Sequence, residues 1–278
     1  PAPVSRLAQC LVEEAEFSQA SLDAAIRLVA TFGHGCQTPE NWSALARGPF
    51  GEALTEEAWR LYTKKGMPRR TWLRNTVALL HGYRAGGGSA EIDSLVAALE
   101  HKLEAGTLDD LGRSAATICG LLWLKGTDVA RLSTLIPHLE RGLDLAHPEI
   151  FELAAWAISR LHRPEARRGS RAKLGTQSLD SLVEYWDLEH RTELAGPNVG
   201  IFALSTILRF RKGPWKPTLS KEAEIYIKSA LKKEGRYPVL SREFDASALL
   251  AYHAGWSFDD EAIERLKRSN KARKNGVA

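Results

Sequence analysis

The chain has 278 residues, 44% hydrophobic and 26% charged, with three cysteines and a net charge of +4. That balance excludes an intrinsically disordered chain, and no window approaches the run of about 18 apolar residues that a membrane span needs. The charge is uneven. Residues 1–150 carry 15 basic against 18 acidic side chains and the remainder 23 against 16, so an acidic partner is expected for the C-terminal half.

Apolar residues recur at three- and four-residue spacing almost throughout, which predicts helices from end to end. The first is expected over Ser5–Phe17, with Leu7, Leu11 and Val12 on one face. The second spans Leu22–Phe32, and a short one over Trp42–Ala46 follows Thr38-Pro39-Glu40, because Thr caps a helix and Pro suits its first turn. Thr55-Glu56-Glu57 is expected to open the next helix, turning Trp59 and Tyr62 inward before Gly66 stops it. Pro68 leads into Arg69–Tyr83, closed by Gly86-Gly87-Gly88, and Ser89 caps Glu91–Glu104.

Thr107-Leu108-Asp109-Asp110 then introduces two Ala-rich apolar segments, Ala115–Leu124 and Phe151–Leu161, with a third apolar segment, Leu132–Leu139, between them. Small residues on one face of a helix let a neighbour approach closely, and Leu, Ile and Trp fill the groove. Residues 163–177 carry Arg163, Arg167, Arg168, Arg171 and Lys173 with little apolar content, so they read as a basic loop. Leu179–Leu194, Val199–Phe210, Lys221–Lys233, Asp245–His253 and Asp260–Lys271 complete the helices, and Lys271–Ala278 reads as a frayed tail.

Leu80, Leu122, Leu161, Leu208 and Leu250 each close an apolar run shortly before Gly or Pro, at separations of 42, 39, 47 and 42 residues, with Val29 51 residues before the first. A unit of roughly 40–47 residues predicts an all-α chain built as an α-solenoid of about five or six stacked helical hairpins, one elongated domain over residues 1–278. Pro148–Leu161 resembles the second helix of a HEAT repeat, Arg163-Pro164-Glu165-Ala166 the turn between its repeats, and Leu132–Leu139 the first helix of the unit; Gly120 and Leu122 repeat the theme. Ser159 stands where that family often has Gly, and the 163–177 insertion departs from its short turns. The resemblance implies a scaffold or recognition surface.

The sequence carries no strong chemical motif. The eight histidines form no HxxxH or HxH pair, and Cys36 beside His34 has no second Cys/His pair at zinc spacing, so no metal site is expected. Gly86-Gly87-Gly88-Ser89 lacks the Lys and downstream Ser/Thr of a phosphate loop and reads as a linker. Neither a GxSxG nor a dinucleotide fingerprint is present, so no catalytic residue and no cofactor is expected. Cys10, Cys36 and Cys119 have no short spacing, as in a reducing compartment, and no secretory signal opens the chain. Met67 is the only methionine and the chain begins at Pro1, which fits the recognition part of a longer, cytoplasmic protein.

Trp59, Trp72, Trp123, Trp156 and Trp186 sit at core phase in apolar helices. Trp215, in Lys212-Gly213-Pro214-Trp215-Lys216-Pro217, is either an exposed stacking platform between cations or a hydrophobic staple. Five basic runs, 64–74, 163–173, 209–216, 228–236 and 265–274, recur along the chain. On a stack of equivalent turns the last four could form a ridge following a phosphate backbone, with Arg163, Arg167, Arg168, Arg171, Lys173, Lys212, Trp215, Lys216 and Lys232 as its binding residues, softened by Glu222, Glu224 and Glu234.

The leading expectation is therefore a non-catalytic binding module for a protein partner, with an acidic partner or nucleic acid engaged through the C-terminal half. The alternative is a nucleic-acid-binding HEAT-like protein, including a DNA glycosylase-type enzyme, in which a Trp precedes an Asp by one helical turn. Trp186 meets His190 at that spacing, and Trp256 meets Asp260.

Overall fold

A computed structural model describes residues 18–31, 39–64, 71–86, 92–124, 127–162, 174–192, 199–208, 215–232 and 242–256. Its described residues are helical with no strand: α1 Gln19–Thr31, α2 Pro39–Leu45, α3 Gly48–Thr63, α4 Thr71–Ala85, α5 Ile92–Ala105, α6 Leu108–Leu121, α7 Val129–Leu132, α8 Ile136–Leu139, α9 Pro148–Leu161, α10 Thr176–Thr192, α11 Val199–Ile207, α12 Lys221–Lys232 and α13 Arg242–His253. Short 3₁₀ turns, Ser133–Leu135 and Glu140–Gly142, follow α7 and α8. The helices expected at Ser5–Phe17 and Asp260–Lys271 lie outside the described residues.

The packing has a serial order. α4 packs on α6, α6 on α9, α9 on α11 and α11 on α13, while α3, α5, α10 and α12 each lie against the helix that follows them in the chain. The five leucines spaced 39–47 apart fall within α4, α9 and α13 or just beyond the ends of α6 and α11, so the sequence period marks the serially packed row. The middle of the row is deeply buried: residues 73–80 of α4, 114–121 of α6 and 150–159 of α9 have little or no exposure.

The tightest crossing is that of α4 with α6. A Cβ on Gly120 would stand 1.8 Å from the Ala78 carbonyl oxygen, and one on Gly82 would stand 2.5 Å from the Gly120 backbone. Backbone therefore lies directly on backbone, and Ala115, Ala116 and Cys119 on α6 are also at zero exposure. At the next crossing Cys119 directs its thiol at the Leu153 carbonyl of α9 across 3.8 Å.

Local signals account for most boundaries. Thr107 caps α6 by accepting from the Asp110 N–H while Asp110 accepts from the Thr107 N–H, a reciprocal capping box; the Thr107 hydroxyl, and then its N–H, donating to the Asp110 carboxyl hold that group below its usual range. Three expectations need correction. α3 opens at Gly48, seven residues before Thr55, because Pro49 suits a first turn; Thr55 lies buried inside the helix and donates to the Gly51 carbonyl at 2.6 Å. Leu132–Leu139 is not one helix but parts of α7, a 3₁₀ turn and α8. Pro137 has no N–H to continue the ladder, and the Ile136 N–H bonds the Ser133 carbonyl in a 3₁₀ turn. The expected loop over 163–177 also ends early, since Thr176 and Gln177 begin α10.

Glu152 is the most buried carboxylate on α9. Tyr185 donates to its Oε1 at 2.7 Å and Tyr62 to its Oε2 at 3.2 Å, and the Tyr185 ring stacks on Phe151 at 4.4 Å. Hydrogen bonds from two phenols keep this buried group satisfied and tie α3 and α10 to α9.

Ala155 lies at zero exposure in α9. Ala155→Leu is expected to lower unfolding free energy by about 1–3 kcal/mol through overpacking, measured by urea denaturation; an unchanged midpoint would place that face in solvent.

Candidate functional site

Three clusters of polar and aromatic side chains stand out among the described residues, and their charge balance separates them. The first surrounds an open depression of about 460 Å³ between α1, α3 and α6. Trp59 reaches from α3 over Gly112 of α6, where an added Cβ would stand 2.6 Å from the indole, and its Nε1–H donates to Asp109 at 2.8 Å. Arg113 lies over the same indole and pairs with both Asp109 and Glu56, and Arg60 pairs with Glu57. Each cation here already has a carboxylate. His81 meets the Trp59 ring edge-on, and burial among nearby guanidinium groups pushes its imidazole down to about 4, so it is neutral near pH 7. The cluster is self-neutralised and works as a joint between α3, α4 and α6.

The second joins α5 to α8. Glu100 and Glu104, one turn apart on α5, face His138, whose Nε2 lies 3.6 Å and 3.9 Å from their carboxylate oxygens. The three ligand atoms lie within 4.8 Å of one another, a set that could hold a divalent cation. All three side chains reach solvent, and an ion pair accounts for the same geometry. Sequence spacing gave no hint of this group, because His138 is brought to the two glutamates by packing.

The third is cationic and aromatic, and it spans three helices of the serial row. Arg74 on α4 places its Cζ 4.4 Å from the centre of the Trp156 ring on α9, with α6 packed between the two helices. Arg160, one turn beyond Trp156, sits 5.2 Å from that ring and 4.6 Å from Trp123, which follows α6. The two indoles meet edge to face at 6.4 Å. Trp123 is 41% exposed, which corrects its expected place in the core; it lies one residue past the helix cap, where the chain leaves the packed row. Trp59, Trp156 and Trp186 are buried as expected, and Trp72 is half-buried.

Arg74 is only 6% exposed, yet its Nε has no hydrogen-bond partner and no carboxylate pairs with it among the described residues. Cation–π stacking on an indole offsets part of the desolvation of a guanidinium but supplies no counter-charge. The arrangement can hold an anion and a flat ring. It offers no nucleophile: Cys119, beneath the cluster, is fully buried, and burial pushes its thiol up to about 12 in spite of the opposing pull of Arg160 and Arg74.

The residues expected to form a basic ridge are placed only in part. Arg163, Arg167, Arg168, Arg171, Lys173 and Lys212 lie outside the described residues. Lys216 is exposed, and Lys232 is the last residue of α12. Trp215 is not an exposed platform. It is 9% exposed, its Nε1–H donates to Asp180 of α10 at 3.1 Å and its ring meets His253 of α13 edge-on at 5.4 Å, so its ring turns inward between those two helices. Lys228 pairs with Glu224 and lies 5.2 Å from the half-buried Trp256 ring, so part of the positive charge on α12 is neutralised locally. Arg74 belongs to the basic run 64–74 in the sequence, but nothing in local spacing marks it as lacking a carboxylate.

Comparison with protein-family models, curated proteins and solved structures gives no match.

In a Cys10→Ser/Cys36→Ser variant, the native Cys119 thiol is expected not to react with an aromatic disulfide reagent at pH 8, where a pKa of about 12 leaves about one thiolate in ten thousand. Full reaction should appear only in denaturant; rapid native-state labelling would contradict the burial of this thiol.

Proposed function

We propose that this chain is a non-catalytic binding module, a stacked array of helix pairs of HEAT-like kind that presents an extended surface to another macromolecule. The observation that supports it most is the serial row α4–α6–α9–α11–α13, each helix resting on the next and flanked by the helix before it in the chain. Such arrays bind through long surfaces made of many similar units rather than through one enclosed pocket. A protein partner in the cytoplasm is the plain form of this reading. No described helix is long and apolar enough to cross a membrane.

A second reading, a nucleic-acid-binding array, is favoured by the cationic–aromatic cluster of Arg74, Trp123, Trp156 and Arg160. Its glycosylase form loses support at Trp186. That indole is 1% exposed and meets Tyr226 edge to face at 5.7 Å, so it has no surface to offer a base. Asp260, the partner expected for Trp256, lies outside the described residues.

The charge excess beyond residue 150 generates the test. Replacing Arg167, Arg168 and Arg171 with Gln is expected to lower the salt concentration at which the chain elutes from immobilised heparin while leaving its melting temperature within a degree. For a nucleic-acid ligand, removing one arginine–phosphate pair should flatten the dependence of log affinity on log salt by about 0.7–0.9. Unchanged elution with an intact fold would mean that these arginines do not contribute to a binding face.

A further inference from the structure

The cationic–aromatic cluster carries an inference about ligand chemistry that rests on the binding-module reading and goes further. Burying a charge without a counter-charge costs several kcal/mol, and proteins that only need a packed core place an apolar side chain at such a position. Arg74 keeps a guanidinium there, nine-tenths buried and without a carboxylate or hydrogen bond among the described residues. Of its three nitrogens only Nε is sealed from solvent without a partner, so the terminal edge is open to an incoming acceptor. A second guanidinium, that of Arg160, lies within 5.2 Å of the same Trp156 ring. An anion at the solvent-touching edge of Arg74 relieves its desolvation, and Arg160 adds a second positive charge nearby. The flat fork of arginine matches the paired oxygens of a phosphate.

Trp123 decides between kinds of anion. It is 41% exposed while its neighbour Trp156 is 6% exposed, and it is held in place by Arg160 at 4.6 Å and by the edge of Trp156 at 6.4 Å. An exposed, braced indole next to the buried Arg74 guanidinium and the half-buried Arg160 suits a ligand that carries a phosphate and a flat ring in immediate succession. Single-stranded nucleic acids are bound in this way, with the backbone on cations and the bases on aromatic faces. An acidic peptide would use the arginines but leave Trp123 idle.

We propose that Arg74, Arg160, Trp123 and Trp156 form a binding site for a nucleotide of single-stranded nucleic acid, with the phosphate at the Arg74 guanidinium and the base on Trp123.

The test uses the full chain and a fluorescein-labelled twelve-residue oligo(dT), followed by anisotropy at several salt concentrations. Arg74→Met is expected to weaken binding about tenfold and to flatten the salt slope by about 0.7, the value for one phosphate on a single strand. Its melting temperature should stay level or rise, because a buried, uncompensated charge has been replaced by an apolar side chain. Trp123→Ala is expected to weaken binding about tenfold, within the range for loss of one stacked base, without a change in melting temperature. Thymidine monophosphate should displace the oligonucleotide at lower concentration than inorganic phosphate does, since it alone supplies the ring.

Three results would overturn the proposal. One is the absence of oligo(dT) binding. Another is an affinity indifferent to both substitutions. The third is displacement by a glutamate-rich peptide as effective as by unlabelled oligo(dT), which would make the cluster a carboxylate site. If oligo(dT) fails while heparin retention still depends on Arg167, Arg168 and Arg171, the nucleotide site falls and the binding-module reading survives.

Discussion

The α4–α6 crossing sets the geometry of everything around it. Gly82 and Gly120 meet where a single added Cβ would stand 1.8 Å from the Ala78 carbonyl oxygen, so the two backbones touch without side chains between them. Ridges of side chains normally keep packed helices about 8–10 Å apart, and removing them at one point draws the axes together there. Gly and Ala gain little by burying their own surface. The gain comes from the larger residues of the packed helices: Val77, Leu80, Ile118 and Phe151 have essentially no exposure.

That closeness has a consequence for the cationic–aromatic cluster. Arg74 extends from α4 to Trp156 on α9, with α6 lying between. A side chain of fixed length can bridge two crossings only if both are tight, and α6 presents small residues to α4 and a thiol to α9. The α4–α6 crossing and the cluster are thus linked mechanically. The Trp59–Arg113 joint on the other side of α6 is paired within itself, so it can hold α3 in place without competing for a ligand.

The helical fold is legible in the sequence because its signals are local. The 3.6-residue period marks nearly every described helix, Thr107 and Asp110 mark the cap of α6, and the spacing of Leu80, Leu122, Leu161, Leu208 and Leu250 marks the helices that pack in series. Where sequence and structure differ, a local rule is overruled by a neighbouring residue or by packing. Thr55 can cap a helix, but Pro49 has already started that one. Leu132–Leu139 has a helical pattern, but Pro137 breaks its ladder. Trp123 keeps the apolar phase of α6 although the helix has ended, and Trp215 sits between cations although its ring turns inward to Asp180 and His253. The cluster itself is not legible. Arg74, Trp123, Trp156 and Arg160 stand up to 86 residues apart, and what distinguishes Arg74 is the lack of a counter-charge, a property of three-dimensional surroundings rather than of spacing.

The central claim is that backbone contact at Gly82 and Gly120 holds the serial row together, and Gly120→Ala tests it most directly by urea unfolding. The sign is informative, because Gly→Ala in an unobstructed helix interior is expected to add about 1 kcal/mol. Here the new Cβ would stand 1.8 Å from the Ala78 carbonyl oxygen, so the account predicts a loss of about 2–4 kcal/mol, accompanied by a change in tryptophan fluorescence as Trp156 and Trp123 separate from their guanidinium partners. An unchanged or raised midpoint, with native fluorescence, would contradict it.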